Sequence, residues 1–461
     1  MPAADVDVVH HLAHHAASAT YDSLPLAAVE AAKKSILDTL GVILAAGGTE
    51  PAVAGVIDLV RETGGRPDST VLGFGDRVPA MMAAFANGAL AHCLDFDDQT
   101  PWGQHSASSI VPAVLAVAER RGGIAGRELI TAVAVGQDIF ARLRRNVGWR
   151  KDWNLSPVLG VYAATAGTAR LLGLNPAVTA DALGVASMQS SGVMEVVAGT
   201  GSNLRAFYAG FSAKGAVLAT LLAERGLTGV DRLFEGENGV FAAYFGGNYN
   251  RDAILRELGH DYQGSTTLYK LWPSVGTSHS HISATIDLVV EHDLSGDEIA
   301  EIRVYVGDYH DLMCRPLDVR RAPTTLVDAK FSLPFLIAVA AVRRGVQISD
   351  FSAAALQSPE VLEVARKVVP VPDASLNWNQ DLPLGRVEVV LHDGRRYAGV
   401  GDRVPGNLEA PLTWQDLARK FGDCAGATVR PPSGERISQV VAAAQHLQNL
   451  DDATDLVRLL D

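Results

Sequence analysis

Residues 24–47, "LPLAAVEAAKKSILDTLGVILAAG", constrain the fold most, because apolar side chains recur there at the spacing of a helix. Leu26, Val29, Ala32, Ile36, Leu40 and Ile43 fall on one face, Pro25 suits a first turn, and Gly47 suits a stop. Five further stretches repeat the pattern: "AMMAAFANGALAHCLDF", "SSIVPAVLAVAERRGG", "ELITAVAVGQDIFARL", "SPVLGVYAATAGTARLLGL" and "AGFSAKGAVLATLLAERGL". Many carry Ala, Gly or Ser at packing positions, so their helices can approach closely. Aromatic residues make up only 6% of the chain, which favours packed helices over a β-sandwich. Residues 1–262 therefore read as a largely all-helical domain.

The pattern changes after "GSTTLYKLWPS". "AEIRVYVGDY" (300–309) and "GRVEVVLHDGRRYAGVG" (385–401) alternate β-branched and polar residues, and His392-Asp393-Gly394 marks a hairpin in the second. With helical stretches such as "LPFLIAVAAVRRG" between them, residues 265–405 read as a smaller α+β domain. The tail, residues 406–461, is helical again and is expected to return to the first domain. The expected fold class is mainly α: a large all-helical domain with a smaller α+β lid domain. No internal repeat of 20–50 residues and no long low-complexity segment interrupts the chain.

With 39 basic and 52 acidic residues the net charge is −13, which disfavours nonspecific binding to nucleic acid or an anionic membrane. Cys93, Cys314 and Cys424 are odd in number and widely spaced, so no disulfide framework can be drawn and a reducing cytosol fits. The first residues lack the basic and apolar regions of a signal peptide, and nowhere do about 18 apolar residues run together. The expected location is the cytoplasm.

Three polar clusters stand out. In "HCLDFDDQTPWGQH" (92–105), Asp95 is one helical turn from His92 on one side and from Asp98 on the other. Three readings are open: an incomplete metal site, a helix end capped by aspartates, or an acid/base site in which His105 titrates near neutrality and an aspartate orients it. In "YKLWPSVGTSHSHIS" (269–283), Lys270, His279 and His281 gather positive charge beside the start of a helix, a place that attracts carboxylates but also occurs in any capped helix. In "GTGSNLRAFYAGFSAKG" (199–215), Arg205 has the geometry to grip a carboxylate in bidentate fashion, with Tyr208 one turn beyond; a surface arginine is the alternative. The glycines there form no dinucleotide fingerprint. "HHLAHH" (10–15) offers histidines at i,i+4 but is read as the polar face of a first helix.

These clusters, in this order, resemble the MmgE/PrpD family, whose members include 2-methylcitrate dehydratase, cis-aconitate decarboxylase and iminodisuccinate epimerase. The similarity runs through "AKKSILDTLGVILAAGG", "NGALAHCLDFDD", "SSIVPAVLAVAE", "GTARLLGL", "KGAVLATLLAERGLTG", "LYKLWPS", "VDAKFSLPF" and "TWQDLARKFGDCA". It implies a helical domain with an α+β lid, a homodimer, and a site in the cleft between domains that uses neither cofactor nor metal. The implied substrates are small carboxylic acids, typically di- or tricarboxylates.

Carried over residue by residue, Asp95 matches the family's active-site aspartate and His105 a histidine implicated in acid/base work. Lys270, Pro273 and His279 are kept. Gln99 stands where threonine is usual, and Asn154 replaces the histidine of G-W-H-P-T-G-T. Arg205 and Tyr208 replace the lysine and histidine of T-K-P-L-H-x-G, and Val275 replaces a cysteine. Asn154 cannot transfer a proton at neutral pH, and Arg205 is a poor general base. The departures concentrate where the family does its chemistry.

The expectation is proton abstraction next to a carboxylate: isomerisation, epimerisation, cyclisation or dehydration. His105 is the base, oriented by Asp95, with Tyr208 and His279 as proton donors. Arg205 and Lys270, with Gln99 and Asn154, bind substrate and stabilise negative charge. The alternative is a non-catalytic paralogue acting as a binding or scaffold subunit.

Overall fold

The computed structural model describes residues 6–460. It shows a mainly α protein with a smaller α+β portion. The first hydrophobic core is helix against helix. Ala80–His92 and Leu155–Leu171 are buried along nearly their whole length, and Leu26–Thr49, Ala107–Arg121 and Gly126–Asn146 pack around them. The tail helices Trp414–Gly426 and Gly434–Gln445 lie on Leu26–Thr49, so Leu417, Phe421, Cys424 and Val440 belong to this core.

One crossing sets up the site. A Cβ added at Gly88 would stand 2.9 Å from the Gly210 Cα, so two bare glycines let Ala80–His92 and Leu204–Ala223 touch backbone to backbone. That close approach brings Tyr208, near the start of one helix, against His92 at the end of the other, with Arg205 on Asp95 just beyond. Leu204–Ala223 is, by length and composition, apolar enough to cross a membrane although its apolar residues do not run unbroken; here it is largely buried against its neighbours.

The second core is built on a four-stranded sheet in the order β4-β3-β5-β6 (β3 Ile299–Val306, β4 Val368–Pro372, β5 Gly385–Leu391, β6 Arg396–Gly401). Ile302, Val304, Val306, Val387, Val389 and Leu391 alternate onto one face and join the helices His279–Glu291 and Leu333–Arg343 in that core. β3, β5 and β6 fall where the sequence alternates. β4 has no such signature: Pro370 and Pro372 deny it ladder donors, which an edge strand tolerates. A second small sheet, β1 (Ser69–Val71) and β2 (Asp76–Val78), sits within the otherwise helical first part.

Candidate active site

Cys93–Ser106 is an irregular segment between the helices Ala80–His92 and Ala107–Arg121. Asp95 within it has φ of 51°, a left-handed conformation that aspartate tolerates better than most residues. Three buried lysines from distant parts of the chain hold this turn by its carbonyls. Lys330 Nζ donates to Cys93 O at 3.3 Å, Lys270 Nζ to Asp95 O at 2.9 Å, and Lys420 Nζ to Phe96 O at 2.7 Å. Each has its own buried carboxylate: Glu50 for Lys330 at 3.3 Å, Asp95 for Lys270 at 2.6 Å, and Asp38 for Lys420 at 2.7 Å. Lys420 also donates to the Lys270 carbonyl at 2.9 Å, tying two of the three together.

The second Asp95 oxygen accepts from Arg205 Nη2 at 2.9 Å, and the Arg205 guanidinium lies 3.4 Å from the Phe331 ring centre. Burial alone would raise the Asp95 pKa; Lys270 and then Arg205 outweigh it and hold the carboxylate well below its usual range. Asp97 bridges the two histidines. Its oxygens lie 3.0 and 3.1 Å from His92 Nδ1 and 3.3 Å from His105 Nδ1. Burial opposes its ionisation too, but His105 and His92 keep it below the ordinary carboxylate value.

Asp98 does what a capping aspartate does: it accepts from Ala107 N at 3.0 Å and Ser106 Oγ at 2.9 Å. Burial and then the neighbouring Asp97 push it up to about 7. Its backbone carbonyl lies 2.6 Å from His105 Nδ1. A carbonyl only accepts, so the Nδ1 proton is assigned there and the lone pair falls on Nε2.

His105 departs from the expectation of titration near neutrality. Burial pushes it down to about 3, against the pull of Asp97 and with the further push of Lys270. Its orientation differs as well. Asp97 and the Asp98 carbonyl fix the Nδ1 side, whereas Asp95 is 3.8 Å from Nε2.

A small cavity of about 40 Å³ opens beside this cluster, bordered by Gln99, His105, Asn154, Arg205 and Tyr208 on its polar side. The Gln99 amide lies so close to Gly276 that a Cβ there would overlap it. Asn154 caps Leu155–Leu171 by accepting from Ser156 N at 3.2 Å, while its Nδ2 is buried without a partner. The Tyr208 ring is 4.2 Å from that of His92; burial, then Asp97 and Asp95, raise its phenol well above the usual value, so it stands as a proton donor.

Three residues read from the sequence, Asp95, Lys270 and His279, do not border the cavity. Lys270 lies behind Asp95, with its ammonium engaged there. His279 packs edge-on against Trp272 at 5.2 Å; its Nε2 is buried without a partner, and burial and then Lys270 push it down to about 3. A neutral imidazole one layer back from the cavity is poorly placed to donate a proton to substrate.

Sequence reasoning missed Lys330, Lys420 and the bridging part of Asp97. "VDAKF" and "TWQDLARKF" carried the lysines, but nothing local marks a lysine as buried. It also missed the cavity's other wall: Val197, Tyr309, Trp378 and Leu382.

His92, Asp95 and His105 offer three ligand-type atoms within 4.8 Å of one another. Both Asp95 oxygens already lie within 3 Å of Lys270 or Arg205, so a metal cation would be placed among fixed positive charges. The N-terminal histidines go elsewhere: His15 lies 3.0 Å from Asp138 and His10 3.0 Å from Asp231.

A helical body with an α+β companion holds a buried group of histidines, carboxylates and basic residues. Residues 10–252 match the MmgE/PrpD N-terminal domain and residues 272–446 the MmgE/PrpD C-terminal domain, so the chain belongs to the MmgE/PrpD family. It is similar to cis-aconitate decarboxylase of Aspergillus terreus (strain NIH 2624 / FGSC A1156), at 27% identity over 98% of this chain and 96% of the relative. It is also similar to the cis-aconitate decarboxylases of Homo sapiens (26%, covering 94% and 90%) and Mus musculus (24%, covering 94% and 89%).

Proposed function

We propose that the protein is an enzyme that moves a proton at a carbon next to a carboxylate of a small carboxylic acid, without a cofactor. One observation carries the reading: His105 is fixed through Nδ1, which leaves the lone pair on Nε2, and His105, Arg205 and Tyr208 border one cavity. His105 Nε2 removes the acidic C–H proton. Arg205 stabilises the enolate-like charge, and Tyr208 returns a proton or protonates a departing hydroxyl. An acid, a base and a cation suffice for isomerisation, epimerisation, cyclisation or dehydration. A decarboxylation, which the relatives' names favour, uses the same parts differently: the carboxylate leaves as carbon dioxide and Tyr208 protonates the carbanion.

The test is NMR in heavy water with a panel of carboxylic acids. Deuterium uptake or turnover that His105→Ala abolishes supports the reading. A non-catalytic binding subunit is the alternative, and it prevails if no acid tested is exchanged, turned over or decarboxylated.

A further inference from the structure

The charges around the cavity bear on what it accepts. Arg205 is the one permanent cation bordering it among the described residues. With Lys270 it makes two positive charges against two negative ones on Asp95 and Asp97, so the cluster is balanced before substrate arrives. The next guanidinium outward, Arg144, is committed to the Gln104 side chain and to Trp102 O at 2.5 Å. Unpaired buried charge is costly, and a trianion would leave at least one carboxylate without a partner cation.

The opposite wall is apolar. Trp378 is 3% exposed and sits at the centre of an aromatic group, with ring centres 4.6 Å from Tyr309 and 5.1 Å from Trp149. The segment 378–382 that carries it is pinned by Trp378 N to Asp308 at 3.0 Å and by Leu382 N to Pro101 O at 3.3 Å. The cavity of about 40 Å³ holds little more than a water, so a substrate needs some of this lining to move aside, and Trp378 and Leu382 are part of what it would then meet. Between the two walls, Asn154 Nδ2 is a buried donor without a partner.

We propose that the substrate is a monocarboxylic acid with an apolar body: its single carboxylate meets Arg205 and the Asn154 amide, and its apolar part lies under Trp378 and Leu382. This rests on the acid/base reading of the same cavity, but binding and proton exchange test the two separately.

The experiment is calorimetric titration of the full chain with hexanoate, 3-phenylpropanoate, methylsuccinate, citrate and cis-aconitate, with deuterium exchange followed in parallel. The two monocarboxylates are expected to bind at least about tenfold more tightly than citrate. Trp378→Ala is expected to weaken 3-phenylpropanoate about tenfold while leaving citrate unchanged. Should that variant not fold, Leu382→Lys serves: the added cation should shift preference towards methylsuccinate and citrate. Tighter binding of citrate or cis-aconitate than of either monocarboxylate, or no binding of either monocarboxylate, overturns the proposal. The expected binding order without any proton exchange leaves it standing and sinks the acid/base reading alone.

Discussion

Lys270 grips Asp95 twice, its ammonium 2.6 Å from the carboxylate and 2.9 Å from the same residue's carbonyl. The contact neutralises the aspartate and fixes the left-handed turn that carries it. With Arg205 on its other oxygen, Asp95 holds cations in place and is not a free acceptor. Asp95→Asn would leave two buried cations short of a partner, with an expected loss of about 3–5 kcal/mol. Urea unfolding of Asp95→Asn, Lys270→Met and the double variant checks this. The double variant should cost clearly less than the sum, because the pair shares one interaction.

The pH dependence of catalysis should carry no signature of His105 near neutrality. Burial holds its pKa at about 3, so the imidazole keeps its Nε2 lone pair throughout pH 5–8. Deuterium exchange should therefore be insensitive to His105 titration over that range. Asp98, pushed up to about 7, does titrate in that range. An inflection near pH 7 should vanish in Asp98→Asn; one that persists would reassign it.

Stability should fall on mild acidification. His105, His279 and His281 are lowered from 6.5 to about 3, and His310 to about 4, in each case chiefly by burial. Between those values and 6.5 the unfolded chain binds protons that the folded chain refuses, so this stability is present above pH 6.5 and is lost as pH falls. Asp98 and Asp38, raised by burial, act in the opposite sense. Four histidines outnumber the two carboxyls, so the net effect is a loss of stability as pH falls through 6.5. Urea midpoints at pH 7.5, 6 and 5 should drop in that order, and more steeply in Asp98→Asn; a midpoint that rises towards pH 5 contradicts the account.

Lys420 should matter to activity although it does not border the cavity. Its ammonium joins Asp38, Phe96 O and Lys270 O, so Lys420→Met frees the turn behind Asp95 and strands a buried carboxylate. A loss of about 3–5 kcal/mol is expected, partly recovered by adding Asp38→Asn. Exchange should remain depressed in that double variant, because the Phe96 carbonyl still lacks its donor. Full recovery of exchange would make Lys420 a matter of stability only.

Gly276 and Gln99 give a paired test. Gly276→Ala should push the Gln99 amide aside and alter substrate affinity, at a cost of about 1–3 kcal/mol in stability. In a Gln99→Ala background the same substitution should have no further effect on affinity.

Much of the fold was legible because it rests on periodicity. The helices around Ile36, Ala84, Val114 and Val161, and strands β3, β5 and β6, each carry their burial pattern within a single stretch of chain. β4 was not, because what makes it a strand is its neighbour β3 and not its own proline-rich residues. The candidate site divides in the same way. Asp95, His105, Arg205 and Tyr208 could be picked from local composition and family resemblance. Their roles could not, since a pKa depends on burial and on charges brought in from elsewhere.

Residue order alone decided that helices would pack closely, that the sheet would be small, and that acidic and basic clusters would punctuate the chain. These follow from side-chain size and spacing, which act over a few residues. Tertiary structure decided the rest: that Asp97 and not Asp95 faces His105 Nδ1, that Lys330 and Lys420 hold the Cys93–Phe96 turn, and that His279 lies behind the cavity. The lysine contacts join residues hundreds of positions apart, and even between Asp97 and His105, eight positions apart, only after folding do water's exclusion and fixed distances make each charge felt by the next.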